Sequence, residues 1–256
     1  MTELINYSFI IYYYSFWRGF NGPGSTYYRF YPNVSVDIIN LFLGRKKALI
    51  KNHVMMHALV TFIAATAYLA MALGVGNYLS DNGTTIYFAR YLDWSVTTPI
   101  LLAGLVMIAF HEYGPSSQMN GYLTAIIGLD IIMVITGLLS SLADTVMVKA
   151  IWYLWSCIAF LGVLFLLWRP LRRIAATRAL TTAGGYYKNI TLLTLVWLLY
   201  PVVFVIGPEG LHIISDAASV WSFLVLDVIA KVFYAFYAAK VLSKSFQTTT
   251  IDRTAV

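Results

Sequence analysis

Charge is what this chain most lacks. Only 11% of its 256 residues are Asp, Glu, Lys or Arg, against roughly 25% in an ordinary soluble domain. Apolar and aromatic residues make up 60% of the chain, and its mean hydropathy is +0.74. A water-soluble globule of this size cannot cover its surface with 17 basic and 11 acidic side chains. Cysteine is almost absent. Cys157 stands alone, so neither an internal disulfide nor a thiolate metal cluster is available. Disorder is excluded by the excess of apolar residues. The alternating strands of about ten residues that mark a membrane β-barrel are missing. What remains is a polytopic helical membrane domain. A span with its loop takes roughly 30 to 35 residues, so the length suits about seven spans.

Six stretches read as spans, at 52–76, 87–110, 121–142, 147–168, 190–207 and 217–242. Asp81-Asn82-Gly83, Gly114-Pro115-Ser116 and Gly184-Gly185 are read as breaks between them. A further span is expected in residues 1–50, an atypical first-helix region. Ile5 to Trp17 is apolar but short, and Arg18, Pro23, Arg29, Pro32 and Asp37 interrupt the stretch before Ile38 to Gly44 turns apolar again. The predicted fold is an all-α bundle of seven transmembrane helices, a single domain over residues 1–256 with a cytoplasmic tail at 246–256. No cleavable signal peptide is read at the amino terminus.

Orientation follows from the basic residues. Arg45, Lys46, Lys47 and Lys51 fall in one loop, Arg169, Arg172, Arg173, Arg178 and Lys188 in another, and Lys240, Lys244 and Arg253 in the tail. Alternating spans put all of them on one side. The opposite loops hold Lys149 against Asp81, Asp144, Glu209 and Asp216. The positive-inside rule makes the basic side cytoplasmic. The carboxyl terminus is then inside and, with seven spans, the amino terminus outside. The net charge of +6 is thus a topology signal, and no nucleic-acid partner is expected, because the charges sit in short loops beside spans.

Charge at membrane depth is costly and usually functional. Five groups stand out: Arg90, Asp93, Asp130, Asp227 and Lys231. Asp227 and Lys231 are four apart and share a helix face. An intrahelical ion pair is the plain reading. The sharper one is that Lys231 carries an aldehyde as a Schiff base, as a buried lysine can. Arg90, Asp93, Thr97 and Gly104 lie near one helical stripe. Arg90 and Lys231 against Asp93 and Asp227 make a nearly neutral cluster, tolerable in low dielectric.

Arg90-Tyr91-Leu92-Asp93-Trp94-Ser95-Val96-Thr97-Thr98-Pro99 on one span and Leu226-Asp227-Val228-Ile229-Ala230-Lys231 on the last resemble the microbial (type 1) rhodopsins. Trp197-Leu198-Leu199-Tyr200-Pro201 and Asp130 to Gly137 agree. The resemblance covers about residues 52 to 245 and leaves 18 to 44 uncovered. It implies all-trans-retinal on Lys231, Asp93 as proton acceptor, and Asp227 as second counterion held by Tyr68 and Tyr200. Arg90 would lie on their extracellular side. It also implies a retinal pocket of Trp94, Thr98, Leu101, Met133, Gly137, Ser156, Trp197, Pro201 and Phe204, with Leu101 at a colour-tuning position. Thr98 and Asp130 would form an interhelical pair.

The resemblance implies an ion transporter rather than an enzyme, and no metal. Asp93 argues against a chloride pump. The Asn-Asp-Gln set of a sodium pump is missing, and residues 52–76 carry none of the acids found in channels. Asp93, Thr97 and Gly104 resemble an Asp-Thr-Gly subgroup of bacterial outward proton pumps, in the inner cell membrane. Gly104 stands where a cytoplasmic donor carboxylate is usual. Sensing through a separate transducer is the alternative. The resemblance leaves a homotrimer or homopentamer open. Tyr153 stands where antenna-binding relatives have glycine, so no carotenoid antenna is expected. Glu209 matches one of two glutamates that share a releasable proton, and Ser219 replaces the second. Asp216 is a weaker substitute, so late release is expected. His57 is the candidate for reprotonation, in the room left by Gly104, with a histidine satisfied by a carbonyl or headgroup as the plain reading. His53 is read as interfacial.

Overall fold

The computed structural model describes residues 48–80, 83–110, 116–178 and 180–241. The first-helix region at 1–47 and the tail at 246–256 lie outside the described residues. Among those described, six helices are long and apolar enough to cross a membrane: His53–Ala72, Phe88–Ala109, Ser117–Leu142, Val146–Ala176, Thr182–Ile206 and Asp216–Val241. They form one side-by-side bundle around a common core running from Val60 through Leu105, Val163 and Leu193 to Ala238. The outer faces stay apolar. Ile151, Leu154, Ile158, Leu161 and Phe165 recur at helical spacing, and each is more than half exposed. Such a stripe is unfavourable in water and normal against lipid. The chain is a multi-pass membrane protein.

Helix α1 spans Ala48–Ala72. A two-stranded hairpin follows, β1 (Tyr78–Leu79) and β2 (Thr85–Ile86), antiparallel with Tyr78 opposite Ile86. Gly76 ties the hairpin to helix α2 (Phe88–Ala109). Its φ is +79°, and a Cβ there would lie 2.7 Å from the Ala89 Cβ, so only glycine fits. Helix α3 (Ser117–Leu142) starts earlier than the expected 121, because the Ser116 hydroxyl accepts from Met119 N. Such a cap is worth about 1 kcal/mol. Thr145 caps helix α4 (Val146–Leu166) in the same way.

Two boundaries correct the sequence reading. The fourth span does not stop at 168. Pro170 removes a backbone donor, yet the helix widens into a π turn at Leu167–Leu171 and continues as α5 (Arg172–Ala176). The next span does not begin at 190 either. Gly184-Gly185 lies inside helix α6 (Leu180–Trp197) and is no break. Each glycine costs a helix about 1 kcal/mol, but tertiary contacts offset that cost. Tyr186 Oη donates to the Leu167 carbonyl at 2.8 Å, and Trp168 Nε1 donates to Thr194 Oγ1 at 2.9 Å. Both bonds tie α6 to the widened turn. Helix α7 (Leu199–Ile206) continues the span past Pro201. Helix α8 (Asp216–Asp227), capped by Ser215, passes into a second π turn at Val228–Phe233 that contains Lys231.

Candidate functional site

The buried face of α2 carries Arg90, Asp93, Thr97, Leu101 and Gly104 in register. Proton chemistry centres on its meeting with the last span. Lys231 Nζ donates a short hydrogen bond to Asp93 Oδ2 and lies 3.3 Å from Asp227 Oδ1. Lysine and both carboxylates are buried. The carboxylates differ in their partners. Asp227 accepts from Tyr68 Oη at 2.8 Å, Tyr200 Oη at 2.7 Å and Trp94 Nε1 at 3.2 Å. Asp93 Oδ1 has no hydrogen-bond partner among the described residues. Thr97 donates to the Asp93 backbone carbonyl at 2.8 Å.

Arg90 makes a different pair from the one expected. The sequence reading set it against Asp93 and Asp227. In the structure its ion pair is with Glu209, Nη1 to Oε2 at 3.8 Å, and its guanidinium lies 4.2 Å from the Phe223 ring centre. Glu209 comes from the loop after α7 and is buried. Burial pushes its carboxyl above the usual range, against the pull of Arg90.

Beyond Lys231 runs an apolar pocket. Trp94, Thr98, Leu101, Met133, Gly137, Ser156, Trp197, Pro201 and Phe204, the residues named from the sequence, all line it, and so does Tyr200, which was named only as an Asp227 partner. Tyr91, Val134, Cys157, Phe160, Phe223 and Ala230 line it as well and were missed. Phe223 was findable, since it lies one helical turn before Asp227. Tyr153 also lines the pocket. Its ring stacks on Phe204 at 5.4 Å, and its hydroxyl donates to the Pro201 carbonyl at 3.2 Å. Thr98 Oγ1 donates to Asp130 Oδ2 at 2.6 Å, which joins α2 to α3. Ser156 Oγ donates to the Met133 carbonyl.

The opposite end of α2 corrects the histidine assignment. The imidazole against Gly104 is His53, not His57: a Cβ on Gly104 would lie 2.9 Å from His53 Cε1. His53 opens the first described span and is packed inside the bundle rather than exposed at its surface. It is 2% exposed, because it sits on the face of α1 turned towards α2. His57 lies one turn further along α1, its ring 5.1 Å from that of His53 and 5.3 Å from that of Tyr234.

A family profile described as "Bacteriorhodopsin-like protein" matches residues 38–245. The chain belongs to the bacteriorhodopsin-like family. Archaerhodopsin-2 of Halobacterium sp. (strain aus-2) is 36% identical over 182 residues, 70% of this chain and 68% of that protein. The crystal structure of thermophilic rhodopsin from Rubrobacter xylanophilus superposes with a TM-score of 0.75 at 32% identity, covering 82% of this chain and 92% of that one. The light-driven proton pump Coccomyxa subellipsoidea rhodopsin gives 0.71 at 27% identity, covering 92% and 96%. The family match begins at residue 38, inside the stretch whose motifs the sequence reading left uncovered.

Proposed function

We propose that this bacteriorhodopsin-like protein is a light-driven outward proton pump that carries all-trans-retinal on Lys231. The observation that carries the reading is a buried lysine amine between two unequal carboxylates, at the head of an aromatic-walled pocket. An amine alone at the end of an apolar slot fits a long apolar aldehyde. When bound, retinal supplies a light-driven isomerisation that turns the Lys231 nitrogen and weakens its hold on a proton. In the dark, Asp93 and Asp227 hold that proton at the nitrogen, since adjacent anions favour the cationic form. Asp227 is saturated by three donors, so it is the poorer acceptor. Asp93 has an oxygen to spare and takes the proton. Arg90 and Glu209 lie beyond it on the exit side. Trp94 and Trp197 wall the pocket and exclude water.

The direction rests on charge. Arg178, in the basic stretch after α5, donates from Nε to the Ala109 carbonyl at 3.3 Å. That bond sets the Gly104 end of α2 beside the basic residues, which supports reading that end as cytoplasmic under the positive-inside rule. Asp93 and Arg90 lie towards the other end. The protein is assigned to a bacterial inner membrane, with its carboxyl terminus inside. Retinal added to expressing cells should give a coloured protein. Illumination should then acidify an unbuffered suspension, and a protonophore should abolish the signal. Colour without acidification would establish the alternative, a photosensor, which the lack of a carboxylate at Gly104 favours.

Proton release should follow uptake. A proton held for early release needs a second acid to share it. Ser219, where the second acid would stand, is buried, and Asp216 is only half-buried. A pH-sensitive dye in a single-turnover flash should therefore report uptake first near neutral pH. Release before uptake would sink this expectation.

A further inference from the structure

We propose that the Phe223 ring is a positioning residue for Arg90, holding its guanidinium on the Glu209 side and away from Asp93 and Asp227. Phe223 thereby sets how readily Asp93 takes a proton. The inference rests on the reading of Lys231 and Asp93 above and adds the residue that keeps a second cation off the acceptor.

Spacing aligns the parts. Phe223, Asp227 and Lys231 recur every four residues along the last span, and all three are buried. Arg90 and Asp93 are three apart on the buried face of α2. Arg90 is 1% exposed, and three aromatic rings lie within reach of its charge. The guanidinium carbon is 4.2 Å from the Phe223 ring centre, 5.3 Å from that of Tyr87 and 6.0 Å from that of Trp94. A ring face carries negative charge density, and its pull on a cation is strongest where water is excluded. The contact with Phe223 is the shortest of the three.

The same ring packs against the donors of Asp227. Its centre lies 5.4 Å from that of Trp94 and 6.0 Å from that of Tyr200, whose Nε1 and Oη bond Asp227. Phe223 therefore sits between two charge clusters. One is Arg90 with Glu209, 3.8 Å apart. The other is Lys231 with Asp93 and Asp227. Among the described residues Arg90 makes no ion pair with either aspartate. Packing alone asks only for an apolar side chain at 223. The buried cation asks for a ring.

Lys231 and Asp227 face Asp93 from the last span, and Tyr68 of α1 and Tyr200 of α7 reach the pair through Asp227. Arg90 is the next cation along α2. A cation brought within about 4–6 Å of a carboxylate lowers its pKa by about 1 to 3. With Arg90 turned inward, Asp93 would stay ionised and accept a proton poorly.

Acid titration of the resting pigment, in the full chain with retinal, tests the proposal. Protonating Asp93 removes an anion beside the Lys231 nitrogen and moves the absorption to the red. Phe223→Leu should shift the midpoint of that change to lower pH by about one unit or more, since Arg90 then turns towards the carboxylates. Trifluorophenylalanine at 223 keeps the shape of the ring while weakening its negative face. It should give a smaller shift of the same sign. Neither change should move the midpoint in an Arg90→Gln background, because a residue that acts through Arg90 has nothing left to act on. A second measurement needs no chromophore. Guanidinium protons of Arg90 held against a ring should resonate upfield in nitrogen-edited NMR of the retinal-free chain, and Phe223→Leu should abolish that displacement. An unmoved midpoint in Phe223→Leu overturns the proposal. So does an equal shift with and without Arg90, which would assign the ring to packing. If Phe223→Leu forms no pigment, the fluorinated ring decides under the same criteria. The titration is read at rest and not as transport, so a wild type that does not acidify its medium would sink the pump reading and leave the result for Phe223 standing. A colourless wild type would sink the Lys231 reading, and the NMR displacement would still decide whether the ring holds Arg90.

Discussion

Lys231→Ala should give a colourless protein. With the amine gone, retinal has no covalent anchor, and visible absorbance on adding it should vanish rather than shift. The substitution should also cost stability. Asp93 and Asp227 are both buried against this one ammonium, and removing one partner of a buried pair costs about 3–5 kcal/mol. A detergent-solubilised sample should therefore melt earlier than wild type. Lys231→Ala combined with Asp93→Asn removes one of the stranded anions and should recover part of that loss while staying colourless. Persistent visible absorbance in Lys231→Ala would remove the lysine from its role.

The core of this site was legible because charge is so scarce. In a chain with few ionisable groups, Arg90, Asp93, Asp227 and Lys231 stand out at membrane depth, and helical spacing alone puts Asp227 beside Lys231. The pocket followed from the motifs around them. Contacts made between distant segments were harder to read. Glu209 reaches Arg90 from a loop whose path no periodicity predicts. His53 and His57 share one face of α1. Which of them meets Gly104 depends on where α1 sits along α2, and that is set by packing. Gly184-Gly185 misled for the same reason. Local propensity reads two glycines as a break, but the bonds from Tyr186 to Leu167 and from Trp168 to Thr194 tie that helix to the widened turn. The π turn at Lys231 has no local signal, since no proline lies within it.

Asp93→Asn should keep its colour and lose its pumping. Asparagine preserves the shape of the side chain, and Asp227 stays in place on its three donors, so the pigment should still form. The anion nearest the Lys231 nitrogen is gone, however. In the dark state that anion stabilises positive charge held at the nitrogen. Light spreads the charge along the polyene, so losing the anion raises the ground state more than the excited state. The absorption should move to the red. Transport depends on a proton acceptor, which an amide cannot be. Asp227 could serve only by giving up bonds it already holds. Light-driven acidification should fall by roughly 10²-fold or more, the scale on which a positioned acid–base group contributes. The same cells should still bind retinal, which separates a lost acceptor from a lost fold. A red-shifted Asp93→Asn pigment that acidifies its medium at the wild-type rate would transfer the acceptor role to Asp227 and overturn the division of labour between the two carboxylates.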